Sequence, residues 1–363
     1  MTLPSFSRPF EWDEFSDQPK IILNKAFKRR RRLQCWPDLL KMYCTASMVL
    51  PISLVAAGIQ PISRAPQPPN KRNLKKIFGM GVSLERGRAQ FDLIAELGVI
   101  EVLVRLPLWD LENLSAYLRF IEGWRDRGCN VMVNLLQDVQ TVGHKSGLEH
   151  QAREAFSALR GLVSRAQVGN AINRAKWGFY SVAEYLDFYE AFQSARDIYA
   201  PGIELCGPAV IDFEYHYTAR ALFNGRAIQF DRVSALLYVD RCGHPSSRQF
   251  GIFDTARKIR FLYALSAMSP KVINPGLIVT EVNWPLMGTA PYAPTSEAEC
   301  VSESDYTDFM ASYYHAGIAT GMVETIYWHQ LVAPGYGLVD NRGGRLRKRQ
   351  AFDRYKSMLL NAS

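Results

Sequence analysis

Several apolar runs of this 363-residue chain end in side chains of the kinds that bind, attack or protonate. The run from Leu277 closes on Thr280-Glu281 and continues into Asn283-Trp284-Pro285. Others end in Val104-Arg105-Leu106-Pro107, in Asn134, in Gly169-Asn170-Ala171-Ile172-Asn173, in Tyr238-Val239-Asp240 and in Tyr327-Trp328-His329-Gln330. A carboxylate directly after an apolar run is either functional or held by a structural cation, and Glu281 with Arg105 admits both readings. Tyr238 is either a donor that orients Glu281 or an ordinary buried tyrosine with its hydroxyl satisfied. Trp177, Trp284 and Trp328 stand beside such endings, where an indole is a stacking platform for a ring-shaped ligand or plain core. Asp212 and Glu214, after Val210-Ile211, and Asp240 are candidate proton donors; the competing role is a carboxylate at a helix N-terminus. His216 and His329 are rim candidates, against the commoner fate of a hydrogen-bonded structural imidazole. The six His and six Cys show no ligand spacing and no CxxC pair, and no Asp-rich loop has the calcium pattern, so neither a metal site nor a cofactor is expected.

The elements that must position these residues follow from periodicity. Short apolar runs at 77–82, 99–106, 131–136, 166–169, 203–210, 235–239, 277–279 and 325–328 alternate with segments of helical period at 89–97, 111–127, 148–164, 182–198, 254–267 and 303–319. Eight strand-helix units in about 285 residues match the size of a closed TIM (β/α)8 barrel of the α/β class. A doubly wound open sheet would want a glycine-rich phosphate turn, and Gly79-Met80-Gly81 lacks the third glycine. In a barrel the chemistry sits at the C-terminal ends of the strands, which is where the residues above fall.

Read together, these endings resemble the clan of retaining β/α-barrel glycoside hydrolases whose two catalytic glutamates follow strands four and seven. Thr280-Glu281 before Trp284-Pro285 is similar to that clan's nucleophile motif. Arg105, Asn170, Tyr238 and Trp328 fall, in order, where the clan places its Arg, Asn, Tyr or His, and Trp. The resemblance spans roughly residues 77–360. It implies an oligosaccharide or polysaccharide substrate, Glu281 as nucleophile, and Asn170 on a sugar 2-hydroxyl, against a turn-forming Asn at a strand end. Asn134 and Asn173 join the expected substrate-binding set. The run Ile172-Asn173-Arg174-Ala175-Lys176-Trp177-Gly178 and Tyr238-Val239-Asp240-Arg241 resemble uncharacterised glycosidase-like proteins encoded with cell-envelope polysaccharide genes. One departure bears on mechanism: the clan's strand-four Asn precedes the acid/base Glu, whereas Asn170 precedes Ala171, which has no proton to give. A degenerate barrel that binds carbohydrate is therefore the second reading.

A composition of 48% hydrophobic residues can bury a large core and excludes a disordered or collagen-like chain. The formal charge of +8 is not spread over the barrel: residues 1–76 carry 14 Lys or Arg against 5 Asp or Glu, leaving 29 against 30. A basic groove for nucleic acid would need the excess in the folded part, so no nucleic-acid partner is expected. Lys28-Arg29-Arg30-Arg31-Arg32 precedes an uncharged stretch at 42–63, about 33 Å long as a helix, enough to cross a membrane. The expected organisation is a basic arm at 1–41, a candidate anchor or signal segment at 42–62, a linker at 63–76 and the barrel at 77–363. Positive charge before the segment places the barrel on the exported side of a membrane; a cytoplasmic barrel with residues 42–62 packed on it is the alternative.

Overall fold

The computed structural model describes residues 12–13, 15–20, 24–59, 74–143, 145–240 and 242–362. Much of the expected linker, at 63–73, lies outside them, as does most of the first part of the arm. Eight parallel strands close into a barrel: β1 (Phe78–Val82), β2 (Glu101–Pro107), β3 (Asn130–Leu136), β4 (Arg165–Val168), β5 (Glu204–Ile211), β6 (Arg232–Leu236), β7 (Leu277–Val282) and β8 (Val323–Trp328), with β8 paired to β1. Every expected strand is present, and the alternative of an open sheet falls on that closure.

Ten helices of eight residues or more are described. α1 (Lys25–Gln34) and α2 (Trp36–Ile59) precede the barrel. The others are α3 (Ala89–Leu97), α4 (Leu114–Arg125), α5 (Lys145–Leu159), α6 (Val182–Tyr199), α7 (Tyr215–Leu222), α8 (Thr255–Met268), α9 (Glu303–Thr320) and α10 (Gln350–Asn361). Their ends follow local chemistry. Ser181 and Glu184 form a reciprocal capping box at the start of α6, Asp254 and Ser302 cap α8 and α9, and Gly321 closes α9 in the left-handed conformation. The short α7 went unforeseen because its eight residues hold too few turns to show a period.

Side-chain parity divides the barrel into layers. Leu103, Met132, Cys206, Ile278 and Tyr327, one from each of five strands, form an apolar cluster of their own. Their chain neighbours Val102, Val104, Val131, Val133, Leu205, Leu277 and Val279 belong instead to the larger core shared with the helices. The interior cluster is thus a floor. At the N-terminal ends of the strands, below that floor, Arg165 bridges Glu204 at 2.8 Å and Glu324 at 2.9 Å, and Arg232 bridges Glu324 at 2.8 Å. Above the floor, toward the C-terminal ends, the interior is polar.

Helix α2 is long and apolar enough to cross a membrane, but in this arrangement it lies along the barrel against α7 and α8. Met42 and Ser53 are buried on the inner face, and Asp38 accepts from the Ala183 amide at 2.9 Å and pairs with Arg220 at 2.7 Å. Arg31 of α1 pairs with Glu184 at 2.7 Å. This is the packed arrangement that stood as the alternative to a span.

The floor sets a measurable cost. Ile278→Ala leaves a cavity among fully buried neighbours and is expected to destabilise the chain by about 2–5 kcal/mol in chemical denaturation. A loss below about 1 kcal/mol would mean that the floor is loosely packed.

Candidate active site

A change of register in β7 sets the position of Glu281. Along β6 the partners run Ala235 with Val279, then Leu236 with Glu281, and along β8 they run Ile326 with Val279, then Trp328 with Val282. Strand β7 therefore carries one extra residue at Thr280, a bulge that breaks strict alternation and re-aims the next side chain. Ile278 faces the floor, and Glu281, one residue out of step, is buried with its carboxylate on the Tyr238 hydroxyl and in the field of Arg105.

The Tyr238 hydroxyl donates to Glu281 Oε2 at 3.1 Å. Arg105, brought up by β2, is buried, and Asn134 of β3 donates through Nδ2 to Asn170 Oδ1 at 3.0 Å. Gln167 of β4 donates to the same oxygen at 3.2 Å, so the Asn170 amide nitrogen is left to face the Glu281 carboxylate. Gln137 fixes the loop by accepting from the Asn170 amide at 2.8 Å and donating to the Asn170 carbonyl at 2.8 Å. Burial pushes Glu281 above the usual carboxylate range; Arg105, Tyr238 and Asn170 oppose that rise, and the charge of Asp17 adds to it. Burial likewise holds His329 well below the usual imidazole range, helped by the charges of Arg105 and Arg86, and keeps it neutral. It stacks on Tyr336 with ring centroids 5.6 Å apart. Arg105 Nε, Asn134 Oδ1 and Gln167 Oε1 are buried with no hydrogen-bond partner among the described residues.

The structure thus joins Arg105, Asn134, Asn170, Tyr238 and Glu281 in one cluster and moves other expected site residues elsewhere. Trp284 and Trp328 are fully buried and stack on each other at 6.0 Å; their indole nitrogens donate to the Gly243 carbonyl at 2.9 Å and the Tyr306 hydroxyl at 2.7 Å. They belong to the core beneath α9, because Tyr327, not Trp328, has the inward parity of β8. Neither forms a sugar-stacking wall. Arg174 binds both Asp212 and Glu214, the latter at 2.6 Å, and Asn173 donates to Glu214 at 2.9 Å and to the Ile211 carbonyl at 3.0 Å. Asn173 is therefore a tie between the loops after β4 and β5. Both acids are therefore taken up by Arg174 in the same tie. Asp240 is exposed and caps a turn by accepting from the amides of Cys242 and Gly243. His216 stacks on Tyr43 of α2, outside the mouth.

Trp177 is at the rim, packed with Ala171, Leu136 and Tyr238. Over this cluster lies a segment that the sequence did not mark as part of the site. Residues 12–13 and 15–20 form a tight hairpin, Trp12 with Pro19 and Asp13 with Gln18, shaped by Asp13 accepting from the Phe15 amide at 3.1 Å and from the Ser16 hydroxyl at 2.6 Å. This strap spans the mouth. Asp17 forms an ion pair with Arg105 and accepts from Gln330 at 3.5 Å, and Lys176 donates to Gln18 at 2.6 Å. The Trp12 ring meets Trp109 at 5.2 Å and Trp177 at 5.9 Å, and Phe15 meets Tyr292 at 5.5 Å. The one hint in the sequence was local: Glu11, Asp13, Glu14 and Asp17 are acids in an otherwise basic arm. Any ligand that engages Arg105 from the mouth has to displace this strap. Among the described residues no group of three metal-ligating side chains converges on a point. A separate groove on the outer wall, lined by Phe27, Arg31, Leu148, Arg153, Tyr180 and Phe188, holds none of the candidate site residues.

No protein-family model matches the chain, and no curated protein matches it. Solved structures do. A β-glucosidase from Thermotoga maritima in complex with methoxycarbonyl-substituted glucoimidazole superposes with a TM-score of 0.57 at 10% identity, covering 79% of this chain and 98% of that one. The virulence factor SghA from Agrobacterium tumefaciens superposes with a TM-score of 0.57 at 11% identity, covering 80% of this chain and 99% of that one. The complex of SghA with its substrate analog salicin gives 0.53 at 12% identity, covering 76% and 84%. At these identities the likeness is one of fold, that of a closed (β/α)8 barrel.

The electrostatics predict opposite shifts in two variants. Tyr238→Phe removes a donor to the ionised form and is expected to raise the Glu281 pKa, whereas Asp17→Asn removes a like charge and is expected to lower it. Carboxyl titration by infrared difference spectroscopy or carbon NMR reads both; shifts in the same direction would show that one of the two groups is not coupled to Glu281.

Proposed function

We propose that this chain is a carbohydrate-active barrel that cleaves or transfers a glycosidic bond in a cell-envelope or exported polysaccharide, with Glu281 as nucleophile of a retaining mechanism. The observation that carries this reading is the cluster of Arg105, Asn170, Tyr238 and Glu281 at the C-terminal ends of the strands, beneath a rim of Trp109 and Trp177. In such a reaction the Glu281 carboxylate attacks the anomeric carbon as the glycosidic bond breaks, and water or an acceptor hydroxyl then releases the sugar. Arg105 and Tyr238 oppose the rise that burial gives the Glu281 pKa and so favour the carboxylate form that attacks. The unpartnered Arg105 Nε, Asn134 Oδ1 and Gln167 Oε1 supply one donor and two acceptors, which suits a polyhydroxylated ring. We place the activity at a membrane, through α2. A spanning α2 with an exported barrel would require residues 12–20 to leave the mouth, because a span parts them from the barrel.

The proton donor is the weak point, and it favours a second reading. Ala171 stands where an acid would aid the leaving oxygen, and Asp212, Glu214 and Asp240 are each held by other groups. Asp17 does not replace it, since its partners Arg105 and Gln330 lie on β2 and after β8, whereas Ala171 follows β4. A barrel that binds polysaccharide without cleaving it accounts for that pattern.

An activated fluorosugar separates the readings, because its leaving group departs without protonation. A mass adduct on Glu281 is expected, and more of it in Asp17→Ala, where the strap is loosened. Oligosaccharide binding with no adduct in either protein would leave the binding barrel; neither adduct nor binding would end the carbohydrate reading. Glu281→Gln is expected to abolish turnover and to stabilise the fold at neutral pH. The raised native pKa of Glu281 makes its contribution to stability full below the unfolded-state pKa and lost as pH rises through the native value, a loss the amide does not suffer. A neutral-pH melting temperature below that of the parent would contradict the burial argument.

A further inference from the structure

We infer that α1 and α2 form a docking face for an anionic lipid bilayer on which α2 lies flat, holding the barrel at the membrane surface instead of crossing it.

Three observations carry this. The first is an apolar face with nothing on it. Trp36, Leu40, Tyr43, Met48, Ile52 and Val55 are exposed and recur every three to five residues along one side of α2, opposite the side that carries Asp38, Met42 and Ser53. Of the sixteen exposed large apolar side chains among the described residues, eight lie on α1 and α2, so the patch is a concentration and not scatter.

The second is charge. Between Asp17 and Asp38 the sequence holds seven Lys or Arg and no acid, and from Met42 to Ile59 it holds no charge at all. Lys25, Arg29, Arg30 and Arg32 are exposed on α1 and Lys41 on α2, so the basic cluster lies at one end of the apolar strip. A second copy of the chain would bring the same cations to the contact, whereas anionic headgroups complement them while the strip enters the acyl boundary. Trp36 and Tyr43, amphipathic rings at the exposed end nearest the cations, suit the headgroup level.

The third is topology. The strap precedes α2 and the barrel follows it, yet Asp17 and Lys176 tie strap to barrel across the mouth. Both flanks of α2 are therefore on one side of it, the arrangement of a helix that lies in the interface.

Flotation of the full-length protein with vesicles tests this, using three parts phosphatidylcholine to one part phosphatidylglycerol against phosphatidylcholine alone. Binding is expected to the anionic vesicles, to fall roughly tenfold between about 50 mM and about 500 mM salt, and to be weak on the neutral ones. The double substitution Met48→Asp and Ile52→Asp, at side chains 66% and 59% exposed, is expected to reduce binding at least about tenfold with unchanged thermal melting. An N-terminal tag stays open to protease added outside sealed vesicles if α2 lies flat. Protection of the tag, with extraction by detergent alone, would overturn the inference in favour of a span. Self-association by light scattering without vesicles, abolished by the same double substitution, would overturn it in favour of a second copy; a monomer that ignores both vesicle types would overturn it outright.

Discussion

A guanidinium buried at the mouth of the barrel needs an anion, and most of the arrangement around it answers that need. Arg105 reaches the polar layer because β2 alternates Leu103 inward, Val104 outward and Arg105 inward again. A buried cation left alone would cost several kcal/mol. Two carboxylates supply the balance, Asp17 by direct contact and Glu281 through its field, and together they outweigh the burial that would weaken the arginine's charge. The same guanidinium therefore opposes the rise that burial gives the Glu281 pKa and holds shut the strap that covers it.

The bulge at Thr280 is what makes that sharing possible. Had β7 kept strict alternation from Ile278, the inward position would have fallen to Thr280 and Glu281 would have pointed into the helix layer, where Val279 and Val282 now pack. A second register shift, between Pro208 and Val210 of β5, sits where that strand runs beside Ser234 and Ala235 of β6. Register shifts thus fall within β5 to β8, the half of the barrel that carries Glu281, while β2 and β3 pair residue for residue over seven positions. Regular pairing builds the wall that carries Arg105 and Asn134; irregular pairing aims the carboxylate at it.

What the sequence revealed and concealed follows from the range of each interaction. Eight strands were legible because a parallel strand buried on both faces is a short apolar run, and Arg105, Asn170, Tyr238 and Glu281 were legible as polar stops to those runs. Trp284 and Trp328 misled because a strand end does not declare which face its last side chain takes, and the bulge alters the parity beside them. Asp212 and Glu214 read as candidate proton donors because the pairing with Arg174 joins loops about forty residues apart, with no local sign. The strap is the extreme case. Asp17 and Arg105 are 88 positions apart and Ser16 and Tyr336 are 320 apart, so nothing in a local window relates them.

Position and access are coupled through the chain that links the strap to α2. Only α1, with its flanking residues, lies between Lys20 and Trp36, and it is tied to the barrel by Arg31 on Glu184 while the start of α2 is tied by Asp38 on Arg220. With both ties made, the strap starts within a short tether of the mouth, and its local concentration there is high. Drawing α2 off α7 and α8 would break the Asp38 pair, expose Met42 and Ser53, and lengthen the tether that returns Asp17 to Arg105. A helix that stays on the barrel and meets lipid with its outer face keeps the strap within reach. A helix that crosses a bilayer strands the strap on the far side and leaves Arg105 with Glu281 as its nearest anion. The two placements of one apolar helix therefore differ in whether the mouth is closed, so where the chain sits on a membrane and whether a sugar reaches Glu281 are one question in physical terms.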